Sequence, residues 1–172
     1  MRHRLIPLAA ALALSGSAAA AQVRLVEAGI VCPRITTGEL IEAPGTEAGV
    51  IRQIEYGTAF DLNARRVPTM DDLSFGFRTA LKDGASTQVV TVVVTHPPMG
   101  PRGVEREEWT DTIVAGTTNL NLFTFEHDYE KVTGPWTFAI EIEGVPVVSV
   151  PFEVTDEGAR GPVEQVCFQF MS

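Results

Sequence analysis

The chain has 172 residues, with 13 Lys or Arg against 22 Asp or Glu and a formal net charge of −9. That length is about one domain and suffices to bury a real core. The acid excess, unrelieved by any Lys/Arg run beyond Arg65-Arg66, repels nucleic acid and anionic membrane surfaces and argues against both as partners.

The first 21 residues have the layout of an export signal. Arg2 and Arg4 supply a positive start, Leu5 to Leu14 is a short apolar run, and Ala19-x-Ala21 precedes Gln22 as a cleavage site. The run falls short of the ~20 residues needed to span a bilayer, so no membrane span is expected. Cleavage between Ala21 and Gln22 leaves 151 residues (172 less 21) as a single β-sandwich domain, 22–172, in the periplasm or outside the cell. It removes two of the 13 basic residues and no acid, so the balance becomes 11 against 22, or −11.

Cys32 and Cys167 lie near the two ends of the mature chain. In an oxidising compartment such a pair is expected to form a disulfide. A reactive thiol or a metal ligand is the alternative, but neither cysteine has a CxxC partner or a neighbouring histidine.

The periodicity along the chain is that of strands. Val23 to Val31 opens the domain, with Val26, Ala28, Ile30 and Cys32 on one parity. Residues 33–72 are rich in Gly and Pro, and a short strand or turn is expected within 50–62, at Val50 to Tyr56. From Leu73, the residues Phe75, Phe77, Thr79 and Leu81 alternate with smaller or polar ones, and Lys82-Asp83-Gly84 is a turn signal. Val89 to Val94 is apolar on both parities and reads as a central strand, stopped by His96-Pro97-Pro98; Met99 to Gly103 reads as a loop. Trp109 and Ile113 mark the next strand. Leu120 and Leu122 then sit on one parity and Phe123 and Phe125 on the other, which suggests a bulge near 122–123.

The most orderly stretch is 134–154. Trp136, Phe138, Ile140 and Ile142 alternate with Thr137, Ala139 and Glu141, and after Glu143-Gly144 a second run places Val148, Val150, Phe152 and Val154 together. This is a hairpin with a two-residue turn, and Val163 to Phe170 reads as a last strand. Seven or eight strands without helical crossovers predict an all-β fold, an antiparallel immunoglobulin-like β-sandwich.

Three segments carry a resemblance: RVPTMDDLSFGFR (66–78), VTHPPM (94–99) and FTFEHDYEKVTGPWTFAIEIEGVPVVSVPFEV (123–154), together with AGIV near the mature start. In this order the chain resembles the bacterial domain of unknown function 3859, whose members pair a Val/Ile-Pro and Phe-Gly strand with a His-Pro element and a Gly-x-Trp hairpin. The resemblance implies no activity, cofactor or catalytic residue. Cys32 and Cys167 lie outside its pattern.

Each residue that invites a chemical role also has a plainer explanation. His96 stands at a strand end, where a site could lie, but a ring packed on Pro97 or Pro98 explains it better. His127, in Glu126-His127-Asp128, lacks the three or four spaced ligands of a zinc site. Asp71-Asp72 and Asp83-Gly84 lack a calcium loop. Glu107 and Glu108 are adjacent, so a strand points them to opposite faces. No nucleophile elbow or phosphate-cradling glycine loop occurs. Trp136 could stack on a sugar, but its phase with Phe138 and Ile140 places it in the core.

These readings predict a non-catalytic, exported binding or structural module of the cell envelope, with no cofactor, no metal and an envelope protein or ligand as partner. The alternative is a protein-inhibitor or chaperone-like module that contacts its target through a loop at 96–103, with His96, Pro97, Pro98 and Met99 as contact residues. A hydrolase is the third reading.

Overall fold

The computed structural model describes residues 22–34, 38–54, 57–156 and 161–168. Ten strands run in chain order: β1 (Val23–Val31), β2 (Leu40–Glu42), β3 (Val50–Arg52), β4 (Arg66–Pro68), β5 (Ser74–Leu81), β6 (Gln88–Met99), β7 (Val104–Ile113), β8 (Thr118–Thr124), β9 (Gly134–Ile142) and β10 (Val145–Thr155). A helix, α1 (Gly161–Phe168), follows. Three strands in the order β1-β5-β8 form one sheet and five in the order β4-β10-β9-β6-β7 form the other, while β2 and β3 form a separate hairpin. The two larger sheets pack face to face as an immunoglobulin-like β-sandwich, as predicted. The export signal assigned to residues 1–21 lies outside the described residues.

Large apolar side chains on alternate positions build the interior. Phe75 of β5 is the hub: its ring centroid lies 5.4 Å from those of Trp136, Phe138 and Phe152 on the opposite sheet, with interplanar angles of 69–73°. Edge-on pairs of this kind add to the stability given by burial alone. Trp136, Phe138 and Ile140 are fully buried, and the Trp136 Nε1–H donates to the Val132 carbonyl at 3.1 Å. Trp136 is therefore part of the wall between the sheets, not a surface platform.

The β9–β10 hairpin turns at Glu143-Gly144, with φ of +52° and +76°. Positive φ at both central residues matches the right-handed twist of the flanking strands. The register shifts between Pro146 and Val148, and Val148, beside the shift, is half-buried where full core burial was expected, while Val150, Phe152 and Val154 stay buried.

Several expectations need correction. Val26 is exposed, because β1 bulges between Leu25 and Glu27 and the extra residue turns outward, so that Val23, Ala28 and Ile30 share the core side. Pro97 and Pro98 do not stop β6. Regular pairing with β7 lapses after Thr95↔Arg106 and resumes at Met99↔Val104; proline removes a ladder donor but its φ suits extended chain. The sheets are not wholly antiparallel, since β4 pairs parallel to β10. These two strands are far apart in sequence, so the long crossover that a parallel pair requires is most of the domain and not a helix. No bulge interrupts β8, which pairs with β5 in continuous register from Thr118 to Thr124.

The last expected strand is helix α1. Pro162 sits in its first turn, where the missing N–H is tolerated, and Val163 and Cys167, four apart, share the buried face. Cys167 bonds to Cys32 with an S–S distance of 2.05 Å and Cα atoms 5.2 Å apart. The expected staple is present and neither cysteine is free.

Candidate functional site

The edges of the sandwich are not equally closed. Among the described residues β8 has one paired neighbour, β5, and β7 has one, β6. Between these two edges, and beneath the β2–β3 hairpin, lies a cleft of about 740 Å³, within the size range of ordinary ligand sites. The segment 43–49 fastens the hairpin to β7: the Glu108 N–H donates to the Gly45 carbonyl at 3.1 Å and the Glu47 N–H to the Glu107 Oε1 at 2.7 Å. At the other end Arg52 reaches Glu126 at 3.0 Å.

Apolar and acidic groups share the lining. Leu120, Leu122 and Trp109 line the cleft together with Ile41 and Ile51 of the hairpin. Glu107 and Glu130 are also in the wall, 4% and 6% exposed. Burial pushes both carboxyls above their ordinary pKa. For Glu107 the Glu47 N–H opposes the shift and the charges of Glu130 and Glu47 reinforce it. The Glu130 Oε2 accepts the His127 N–H at 2.7 Å, closing the capping box of a short 3-10 turn at Asp128–Glu130. His127 stacks on Tyr129 with ring centroids 5.2 Å apart.

His96 is buried, 4.6 Å from the ring of Trp136. Its Nδ1 lies 2.8 Å from the Pro97 carbonyl, an acceptor only, so Nδ1 carries the proton. Nε2 is left without a hydrogen-bond partner among the described residues, and burial lowers the ring's pKa. Met99 is buried, Pro97 is half-buried and only Pro98 of the four is exposed. The expected loop 96–103 is thus the end of β6 followed by a tight turn. That turn rests on the protein itself: Arg102 Nε pairs with the Glu47 carboxylate at 3.2 Å, and a Cβ on Gly100 (φ +68°) would lie 2.4 Å from the same carboxylate. Asp71 and Asp128 both pair with Lys131. Glu107 and Glu108 point to opposite sides as predicted, one buried and one exposed.

Sequence reasoning missed the cleft. Its signal lay in β8, whose apolar residues on both parities suggest a bulge but mark a strand that is mostly half-buried and lines the cleft along its length. A family model, "Domain of unknown function (DUF3859)", matches residues 20–154. The chain belongs to the DUF3859 family. The match takes in the strands of the two sheets except the last residue of β10, Thr155, and ends before α1, so the disulfide ties the DUF3859 domain to a helix beyond it. A solved immunoglobulin-like protein from Pseudomonas aeruginosa is similar over 80% of this chain and 100% of its own, at 20% identity and a TM-score of 0.46. The sequence matches no curated protein.

Proposed function

We propose that the chain is an exported, non-catalytic binding module of the cell envelope, its single domain spanning residues 22–172, and that its ligand seat is the cleft between β7, β8 and the β2–β3 hairpin. The observation that carries this reading is the composition of the cleft wall. Apolar side chains such as Ile41, Ile51, Leu120 and Leu122 alternate with polar and charged groups fixed in place, a mixture suited to a binding site. Those groups are already held: Arg52 by Glu126 and Arg78 by Glu27, while the Glu107 and Glu130 carboxylates accept backbone N–H groups. Both cysteines are consumed in the bridge, which weakens a thiol-based hydrolase. Contact through residues 96–103 would fall to Pro98 and the turn behind it, a small surface for an inhibitor or chaperone.

The test is affinity capture from the periplasm with protein whose mature N-terminus is checked by mass spectrometry and is expected at Gln22. A captured envelope component should be lost with Ile41→Asp and Leu120→Asp, both verified as folded by circular dichroism, and retained with Pro98→Glu. Retention by both cleft variants and loss with Pro98→Glu would transfer the site to residues 96–103.

A further inference from the structure

The way β8 lines the cleft says what shape of guest fits. A cavity on the face of a strand is lined by every second residue, because successive side chains point to opposite faces. Here all seven residues of β8, Thr118–Thr124, line the cleft, as do five in a row, Val50–Ile54, from β3 onward. Consecutive lining means that the cleft runs along the edge of β8 and looks onto its backbone. Among the described residues that edge has no paired strand. An unpaired edge offers a row of N–H and C=O groups to an incoming chain, and addition of an extended peptide to such an edge is an established mode of recognition.

The charge of the lining says which peptide. The two arginines of the cleft are neutralised, Arg78 by Glu27 at 2.7 Å and Arg52 by Glu126 at 3.0 Å. Glu107, Asp111 and Glu130 have no cation within ion-pair distance among the described residues: Glu107 and Glu130 accept backbone N–H groups, and Asp111 accepts the Thr112 N–H at 2.7 Å and the Asn119 amide at 3.0 Å. The cleft therefore presents carboxyl groups without an ion-pair partner among the described residues at its wall and apolar side chains, Leu120 and Leu122 of β8 and Trp109 of β7, along its floor. Trp109 adds an aromatic face, which favours a cation.

We propose that the cleft receives an extended peptide with alternating apolar and Lys/Arg side chains as an added strand along β8, its cations directed to Glu107 and Glu130. The inference rests on the cleft being the ligand seat and names the class of that ligand. Strand addition supplies main-chain hydrogen bonds without regard to sequence, while the acidic wall selects charge.

The test uses the disulfide-bonded protein and three synthetic hexapeptides in calorimetric titration and amide NMR: Lys-Val-Lys-Val-Lys-Val, its form N-methylated at alternate residues, and Glu-Val-Glu-Val-Glu-Val. The Lys-Val peptide should bind and shift amide signals of Thr118–Thr124. N-methylation, which removes ladder donors, should weaken it by about tenfold or more, as should Glu107→Gln with Glu130→Gln in the protein. The Glu-Val peptide should not bind. Equal affinity for the acidic and basic peptides, an unimpaired N-methylated peptide, or no binding of the Lys-Val peptide at millimolar concentration would each overturn the proposal. If the peptides fail while capture of an envelope component still depends on Ile41 and Leu120, the cleft remains the seat and strand addition falls.

Discussion

At the scale of single residues, two buried polar side chains show how much the surroundings decide. His96 was noticed for its chemistry and proves to be packing: its ring lies against Trp136 and its Nδ1–H is spent on Pro97. Glu107 was noticed only for its neighbour Glu108, yet it is a carboxyl buried in the wall of a cleft. Because burial raises its pKa in the folded state, the folded protein releases that proton at a higher pH than the unfolded chain does. Between the ordinary glutamate value and the raised one, the native state binds more protons, so stability falls as pH rises through that window and is recovered on acidification. Glu107→Gln keeps an acceptor for the Glu47 N–H and removes the titration. Urea unfolding across the acid-to-neutral range should show that the variant loses less stability with rising pH than the wild type does. Parallel curves would mean that Glu107 is charged in the folded state as easily as in water.

At the scale of elements, alternation placed the strands and local defects decided which side chains they show. β1 carries a bulge that turns Val26 outward, and in β10 the register shifts just before Val148, which is half-buried. A bulge adds one residue and inverts the parity beyond it, so pattern alone misassigns a side chain next to it. β1 also meets a backbone strap. Ile30 and Leu62 exchange hydrogen bonds of 2.9 and 3.2 Å, and the Asp61 carboxylate accepts the Cys32 N–H at 2.8 Å. The strap lies so close that a Cβ at Gly29 would be 2.1 Å from the Leu62 carbonyl oxygen. Gly29→Ala should therefore cost roughly 1 to 3 kcal/mol, the usual penalty for overpacking a fixed interior, read as a lower denaturant midpoint at unchanged slope. A neutral Gly29→Ala would show that the segment around Leu62 moves freely.

At the scale of the whole molecule, the two sheets are joined by the aromatic cluster around Phe75 and the chain ends are joined by Cys32–Cys167, 135 residues apart. In the chain-entropy account, closing a loop that long stabilises by about 4 to 5 kcal/mol. Removing a native disulfide costs about 2 to 5 kcal/mol in small secreted domains. Cys32→Ser with Cys167→Ser should lower the unfolding free energy within that range, and a reducing agent should do the same to the wild type and nothing further to the double variant. If the double variant matches the oxidised wild type, the bridge holds α1 in place without supporting the sandwich.

The sequence by itself determined the all-β class, the β9–β10 hairpin and its turn, the burial of Trp136 and the pairing of the cysteines. Each follows from period-two alternation, from the backbone freedom of a Glu-Gly turn, or from having two thiols and no other partner for them. Tertiary structure decided the rest. The helical state of 161–168 could not be read, because Val163 and Cys167 share a face at either period. The parallel seating of β4 on β10 joins residues 87 apart (Glu153 with Arg66), and no local pattern encodes such a meeting. The cleft depends on which edges of two sheets are left unpaired and on where the β2–β3 hairpin comes to rest. These are properties of packing between elements, and an apolar residue facing a cleft is written in the sequence with the same letters as one facing the core.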